Sequence, residues 1–134
     1  MEILQDIPKA EDYVSLRIRS GMGEKNIERA HEALKNSLFS ISLWEENQLI
    51  AFGRIVGDGA ITYVVSDIMV DQNYQGLGYG KIIMENIDRY LNENTDKDSY
   101  VCLIANKPAD RLYGQFKFEH VEPYACGMKR NQSK

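Results

Sequence analysis

A chain of 134 residues with 43% hydrophobic and 27% charged residues has the size and make-up of one soluble globular domain, not of a disordered segment. Its net charge of −4 argues against a general nucleic-acid binder, which is usually basic. No apolar run reaches the roughly 18 residues that span a bilayer, and the two cysteines, Cys102 and Cys126, are too few for a disulfide framework.

The start, "MEILQDIPKAED", is acidic and lacks the basic opening and apolar stretch of a signal peptide, so a cytoplasmic location is expected. With no internal repeat or linker, residues 1–134 are expected to form a single domain. "ILQDI" (3–7) suits a short first strand. Tyr13, Leu16, Ile18 and Met22 predict a first helix, and Ile27, Ala30, Ala33 and Leu34 a second, with the breakers Gly21 and Gly23 between them. The period then changes. "SLFSISLW" alternates, "EENQ" turns the chain, and "LIAFGRIVG" returns as the other arm of a hairpin. "GDG" (57–59) is a second turn, leading into the long β-branched strand "AITYVVSDIMV" (60–70).

From Tyr79 the pattern is helical, with Ile83, Ile87, Tyr90 and Leu91 on one face. "YVCLIA" (100–105) reads as a buried strand. Pro108 suits the first turn of a helix carrying Leu112, Tyr113 and Phe116. "FKFEHVEPYACGMK" reads as two closing strands. The expected fold is mixed α/β in the order β-α-α-β-β-β-α-β-α-β-β.

Between the long strand and the third helix lies "YQGLGYGK", with glycines at 76, 78 and 80. The first N–H groups of a helix have no partners within it, and the helix dipole places partial positive charge there. A turn without side chains lets a phosphate approach those groups. Gln75 and Lys81 can add donors. Lys81 has the same sign as the dipole, which favours an anion nearby. The spacing fits neither known glycine fingerprint of nucleotide sites. A P-loop needs a glycine at 75 and a hydroxyl after Lys81, where Ile82 stands; G-x-G-x-x-G needs glycine at 81 or 83.

What the stretch does fit is Q/R-x-x-G-x-G/A, met by Gln75-Gly76-Leu77-Gly78-Tyr79-Gly80. It resembles the acetyl-CoA pyrophosphate loop of the GCN5-related N-acetyltransferase (GNAT) superfamily. "SDIMVDQNYQGLGYGKIIMENIDRYL" is similar to that superfamily's central strand, loop and helix. "ANKPADRLYGQFKFE" resembles its closing segment, with Lys117 where a glycine is usual. The likeness runs from Trp44 onward; residues 1–40 match in element order only.

The resemblance implies an acetyl-CoA-dependent N-acetyltransferase with a splayed central sheet, acting by direct attack on a primary amine, with no metal. The acceptor is expected to be a small molecule, a protein amine being the nearest alternative. A homodimer is common in the superfamily. It further implies that Gly76, Leu77, Gly78, Tyr79, Gly80 and Lys81 face the diphosphate. Main chain at Ile68, Met69 and Val70, with Asn106 and Ala109, would hold the pantetheine arm. Tyr113 would be the general acid. Asp67 is either a base or a paired structural carboxylate, because strand alternation turns it away from Ser66, Ile68 and Val70 unless a bulge intervenes. Ser66 and Thr62 are candidates to hold a relay water. The acceptor pocket is expected around residues 17–28, with Trp44, Arg54 and Tyr63 contributing; Arg17 and Arg19 read as solvated surface charges. The rival from another class is a silent acyl-CoA-binding module.

Overall fold

The computed structural model describes residues 1–133. Strand β1 (Glu2–Leu4) precedes helices α1 (Ala10–Arg19) and α2 (Ile27–Lys35). Strands β2 (Phe39–Glu45), β3 (Gln48–Gly57) and β4 (Thr62–Val70) follow, then a 3-10 turn (Gln72–Tyr74), helix α3 (Tyr79–Asn94), strand β5 (Tyr100–Cys102) and helix α4 (Asp110–Gly114). The strands form one sheet in sequence order. The first four run antiparallel, and β5 joins β4 in parallel. Only that last connection needs a crossover, and α3 supplies it.

Local chemistry explains most boundaries. Glu46 and Asn47 both adopt positive φ (48° and 64°), as a two-residue hairpin turn demands. Asn26 caps α2 by accepting the Arg29 N–H at 3.0 Å. The Asp58 carboxylate accepts three successive main-chain N–H groups, Ala60, Ile61 and Thr62, at 2.8, 2.8 and 3.1 Å. That tight turn delivers β4 beside β3, and the three bonds hold the Asp58 carboxyl below its ordinary range.

The sheet is covered on both faces. Ile41, Ile50, Ile55, Tyr63, Ile83 and Ile87 fill the layer between it and α3. Tyr13, Leu16, Leu34, Leu49, Phe52 and Met69 fill the layer under α1 and α2. Burying each such side chain is worth about 1.5–3 kcal/mol, so the two layers dominate the stabilising terms.

The mixed α/β class and the splayed sheet are as expected; the end of the chain is not. β5 stops at Cys102, α4 begins two residues after Pro108, and residues 115–133 contain no strand. Lys117 turns left-handed (φ 74°) where the first closing strand should start. Pro123, in the middle of the second run, has no N–H to give a ladder. The closing strands fail for those two reasons, and the sheet ends at β5.

Candidate active site

The glycine run has a different physical reason at each position. Gly76 and Gly78 sit at φ 78° and 87°, where a side chain is strained, and a Cβ on either would project into open space. Gly80 lies in the first turn of α3, where a Cβ would stand 3.3 Å from Leu112 Cδ2 of α4. The run therefore bends the chain, stays bare, and lets α4 pack closely against the start of α3.

That start has unmet needs. Its N-cap is Gly78, which offers no side-chain bond, and its first turn holds no acid. The Ile82 N–H is the first to fold back, to the Gly78 carbonyl at 3.2 Å. The N–H groups of Tyr79, Gly80 and Lys81 come before it and have no partner within the helix. Both α1 and α2, in contrast, carry acids in their first turns. Gln75 does not reach outward as a further donor: its amide Nε2 donates to the Val70 carbonyl at 3.1 Å and ties the loop to the end of β4. An anion at this helix start would serve as its missing cap.

Beside the loop, β4 and β5 part. Their parallel ladder covers only Thr62 to Val64 against Tyr100 to Cys102. From Val65 to Val70 the β5-facing edge of β4 lies beyond that ladder. On the other edge, Arg54 pairs with Ser66 and Phe52 with Met69, so Asp67 and Ile68 together oppose Gly53. This is a bulge, and Asp67 takes φ 58° within it. A Cβ on Gly53 would lie 2.7 Å from both Ile68 Cδ1 and Ile83 Cγ2. Glycine at 53 leaves room for the Ile68 and Ile83 side chains opposite the bulge. Ser66, paired with Arg54, shares a face with Asp67, whereas Ile68 and Val70 pack on the α3 side. The alternation expected for Ser66, Ile68 and Val70 is thus broken at Asp67.

Asp67 is the centre of a buried network. Its Oδ1 accepts from Arg17 Nη1 at 3.1 Å; its Oδ2 accepts from Arg54 Nε at 2.6 Å and from the Tyr13 hydroxyl at 2.7 Å. The three charged side chains are 9% (Asp67), 9% (Arg17) and 15% (Arg54) exposed. Arg17 is therefore no solvated surface charge. Its remaining donors hold the loop after α1, at the Met22 carbonyl (2.9 Å) and the Gly23 carbonyl (3.0 Å). Arg19 likewise binds the buried Asp71 at 2.7 Å.

Burial, and then the bond to the Asp67 carboxylate, push the Tyr13 hydroxyl up to about 12. Its proton is held more tightly in the folded state than in the unfolded chain. The stability this adds is complete below the unfolded value near 10 and is lost as pH rises toward about 12. Unfolding midpoints measured across that window should fall more steeply for the native chain than for Tyr13→Phe.

Tyr113, on α4, is buried, and burial raises its hydroxyl above the ordinary phenol value. It packs edge-on to Phe118 at 6.5 Å between centroids. Asn106 is exposed, and its carbonyl accepts the Ala109 N–H at 2.8 Å to open α4. A cavity of about 700 Å³ lies on the far side of β5, lined by Leu103, Ala105, Tyr113, Phe118 and residues up to Met128. Neither the glycine loop nor β4 lines it; of the expected site residues, Tyr113 does. Tyr63 is 1% exposed in the α3 layer, with its hydroxyl toward Asn94, and takes no part in an acceptor pocket. Thr62 lies inside the parallel ladder, away from the gap.

The model of the acetyltransferase (GNAT) family matches residues 6–118. The chain belongs to that family. A protein of unknown function from meticillin-resistant Staphylococcus aureus, described as a probable acetyltransferase, has the same fold as this GNAT chain. Its TM-score is 0.92 at 42% identity, over 97% of this chain and 98% of that one. An uncharacterized N-acetyltransferase, ycf52-like, from Prochlorococcus marinus is 34% identical over 77 residues, 54% of this chain and 43% of that protein. Serotonin N-acetyltransferase 2, chloroplastic, from Oryza sativa is 34% identical over 76 residues, 52% of this chain and 36% of that protein. The chain spans about half the length of the curated relatives it matches. Among the described residues no helix is long and apolar enough to cross a membrane.

The Tyr13–Arg17–Asp67–Arg54 network was missed by sequence reasoning. One signal pointed to it: a carboxylate within the apolar run of β4 needs partners. Arg17, one turn after Tyr13 on α1, is the partner that helical spacing offers.

Proposed function

We propose that this chain, as one domain over residues 1–134, moves the acetyl group of acetyl-CoA to a primary amine of a small molecule, by direct attack in a ternary complex. One observation carries the reading. The start of α3 has neither cap nor acid, opens through two left-handed glycines, and follows the end of β4 that lies beyond its ladder with β5. Bound there, acetyl-CoA supplies an activated thioester.

The chain's own groups divide the work. Main-chain N–H groups from Gly76 to Lys81, with the Lys81 ammonium, hold the diphosphate; Leu77 and Tyr79 flank it. Main chain at Ile68 and Val70 pairs with the pantetheine arm as a neighbouring strand would. Asn106 and Ala109 hold the arm from the β5 side. The N–H of Ile68 or Met69 faces the thioester oxygen and stabilises charge as it develops. Tyr113 keeps its proton at neutral pH and gives it to the departing sulfur. Ser66 holds a water that carries the proton from the amine. The loop after α1 borders the acceptor. The protein works in the cytoplasm, as a homodimer.

A thiol-release assay over amino sugars, polyamines, aralkylamines, amino acids and peptides tests this. Turnover with one small-amine class is expected. Tight acetyl-CoA binding without turnover on any amine would make the chain a silent acyl-CoA-binding module, and turnover on peptides alone would make the acceptor a protein amine. Gly78→Val forces a β-branched residue into the left-handed region. It should raise the KM for acetyl-CoA about 10-fold while kcat stays near the native value.

A further inference from the structure

Asp67 gives three of its roughly four carboxylate lone-pair sites to donors of its own chain. Arg17, Arg54 and Tyr13 all donate to its carboxylate, from α1 on one side and β3 on the other. The residue so held is the one in the left-handed conformation, at the point where two residues of β4 oppose one of β3. Arg17 in turn holds the carbonyls of Met22 and Gly23. The same carboxylate therefore fixes two things: the β4 bulge, and the loop between α1 and α2.

We propose that Asp67 is a positioning residue, which sets the main chain at Ile68 and Met69 for the thioester oxygen and ties the acceptor-side loop to it. This rests on the acetyl-transfer reading above and assigns Asp67 within it. A strand edge at a bulge has a choice of carbonyl and amide directions; a left-handed aspartate held by three donors has one. Removing a donor loosens both the oxyanion-binding amide and the loop over the acceptor. The ground-state grip on the diphosphate, at the far end of the loop 71–78, is left alone.

The test uses the full chain with Asp67→Asn, and with Tyr13→Phe, which keeps both ion pairs and so guards against an Asp67 variant that does not fold. Kinetics are followed from pH 6 to 10, and the amide resonances of Ile68 and Met69 are recorded without ligand. Positioning predicts that kcat falls about 10-fold or more in Asp67→Asn and less in Tyr13→Phe. The KM for acetyl-CoA stays near native, the acid limb of the pH–rate profile keeps its midpoint, and both amides shift. Disappearance of the acid limb in Asp67→Asn would make Asp67 the base and overturn the proposal. Native kcat in both variants would overturn it too. If the native chain transfers no acetyl group to any amine, the reading of function fails by itself. The Ile68 and Met69 amides then still decide: unchanged resonances in both variants show that the carboxylate does not set the bulge.

Discussion

Tyr113→Phe is expected to lower kcat by about 10²- to 10⁴-fold, the usual contribution of a positioned acid, with the KM for acetyl-CoA nearly unchanged. The hydroxyl is the only group removed and the buried ring stays, so the fold loses little. Burial raises the phenol above its ordinary value, so it holds its proton throughout the neutral range. On the proposed reading a thiolate leaving beside it takes that proton, and beside phenylalanine it must leave unprotonated. Stopped thiol-release measurements at saturating acetyl-CoA check the loss. An unchanged kcat would make Tyr113 a core aromatic.

Asp67→Ala is expected to be the most destabilising single change at the site, costing about 3–5 kcal/mol. It leaves two buried guanidinium groups facing each other with no anion between them, and it orphans the Tyr13 hydroxyl as well. A domain of this size is stable by about 5–15 kcal/mol, so the variant should unfold at a markedly lower urea midpoint. The slope of the transition should stay the same, because the surface exposed on unfolding does not change. Asp67→Asn keeps the shape and part of the bonding, and should fall between the two. A loss below about 1 kcal/mol would mean that water already reaches and screens the cluster.

The parts of this fold that local chemistry decides were legible without coordinates. The helical stripe of Ile83, Ile87, Tyr90 and Leu91, the turns at 46–47 and 57–59, and the bare loop at 76–80 each follow from residue type and spacing. Long-range pairing was legible only in part. The β4–β5 split came from the family likeness, and nothing within residues 60–70 sets where it begins. The bulge at Asp67 lies opposite Gly53, fourteen residues earlier and on another strand; alternation within one strand could not reveal it. The closing strands were misread because apolar residues at 116–128 have strand composition, while Lys117 and Pro123 deny them the backbone that a ladder requires. Gln75 shows the same limit at smaller scale. As a polar residue at a loop rim it reads as a ligand donor, yet its amide donates to the Val70 carbonyl at the end of β4.

The network under the sheet illustrates how the first forty residues serve the site although they carry no motif. Arg17 and Tyr13 on α1 meet a carboxylate on β4, and Arg19 meets Asp71 just beyond it. Two ion pairs thus fasten α1 across the end of the strand that enters the glycine loop. The buried pairs contribute little net stability against well-packed apolar substitutes. What they add is geometric: they join α1 to Asp67 of β4 and to Asp71 just after it.

The central claim is that main-chain amides of residues 76–81 grip the diphosphate, while the neighbouring β4 edge receives the arm that follows. Titrating the isotope-labelled chain with CoA and following its amide resonances tests both halves at once. The account predicts the largest shifts at Gly76 to Lys81, with a second group at Ile68 to Val70. Shifts confined to the cavity beyond β5, around Leu103, Phe118 and Met128, with residues 76–81 unmoved, would contradict it.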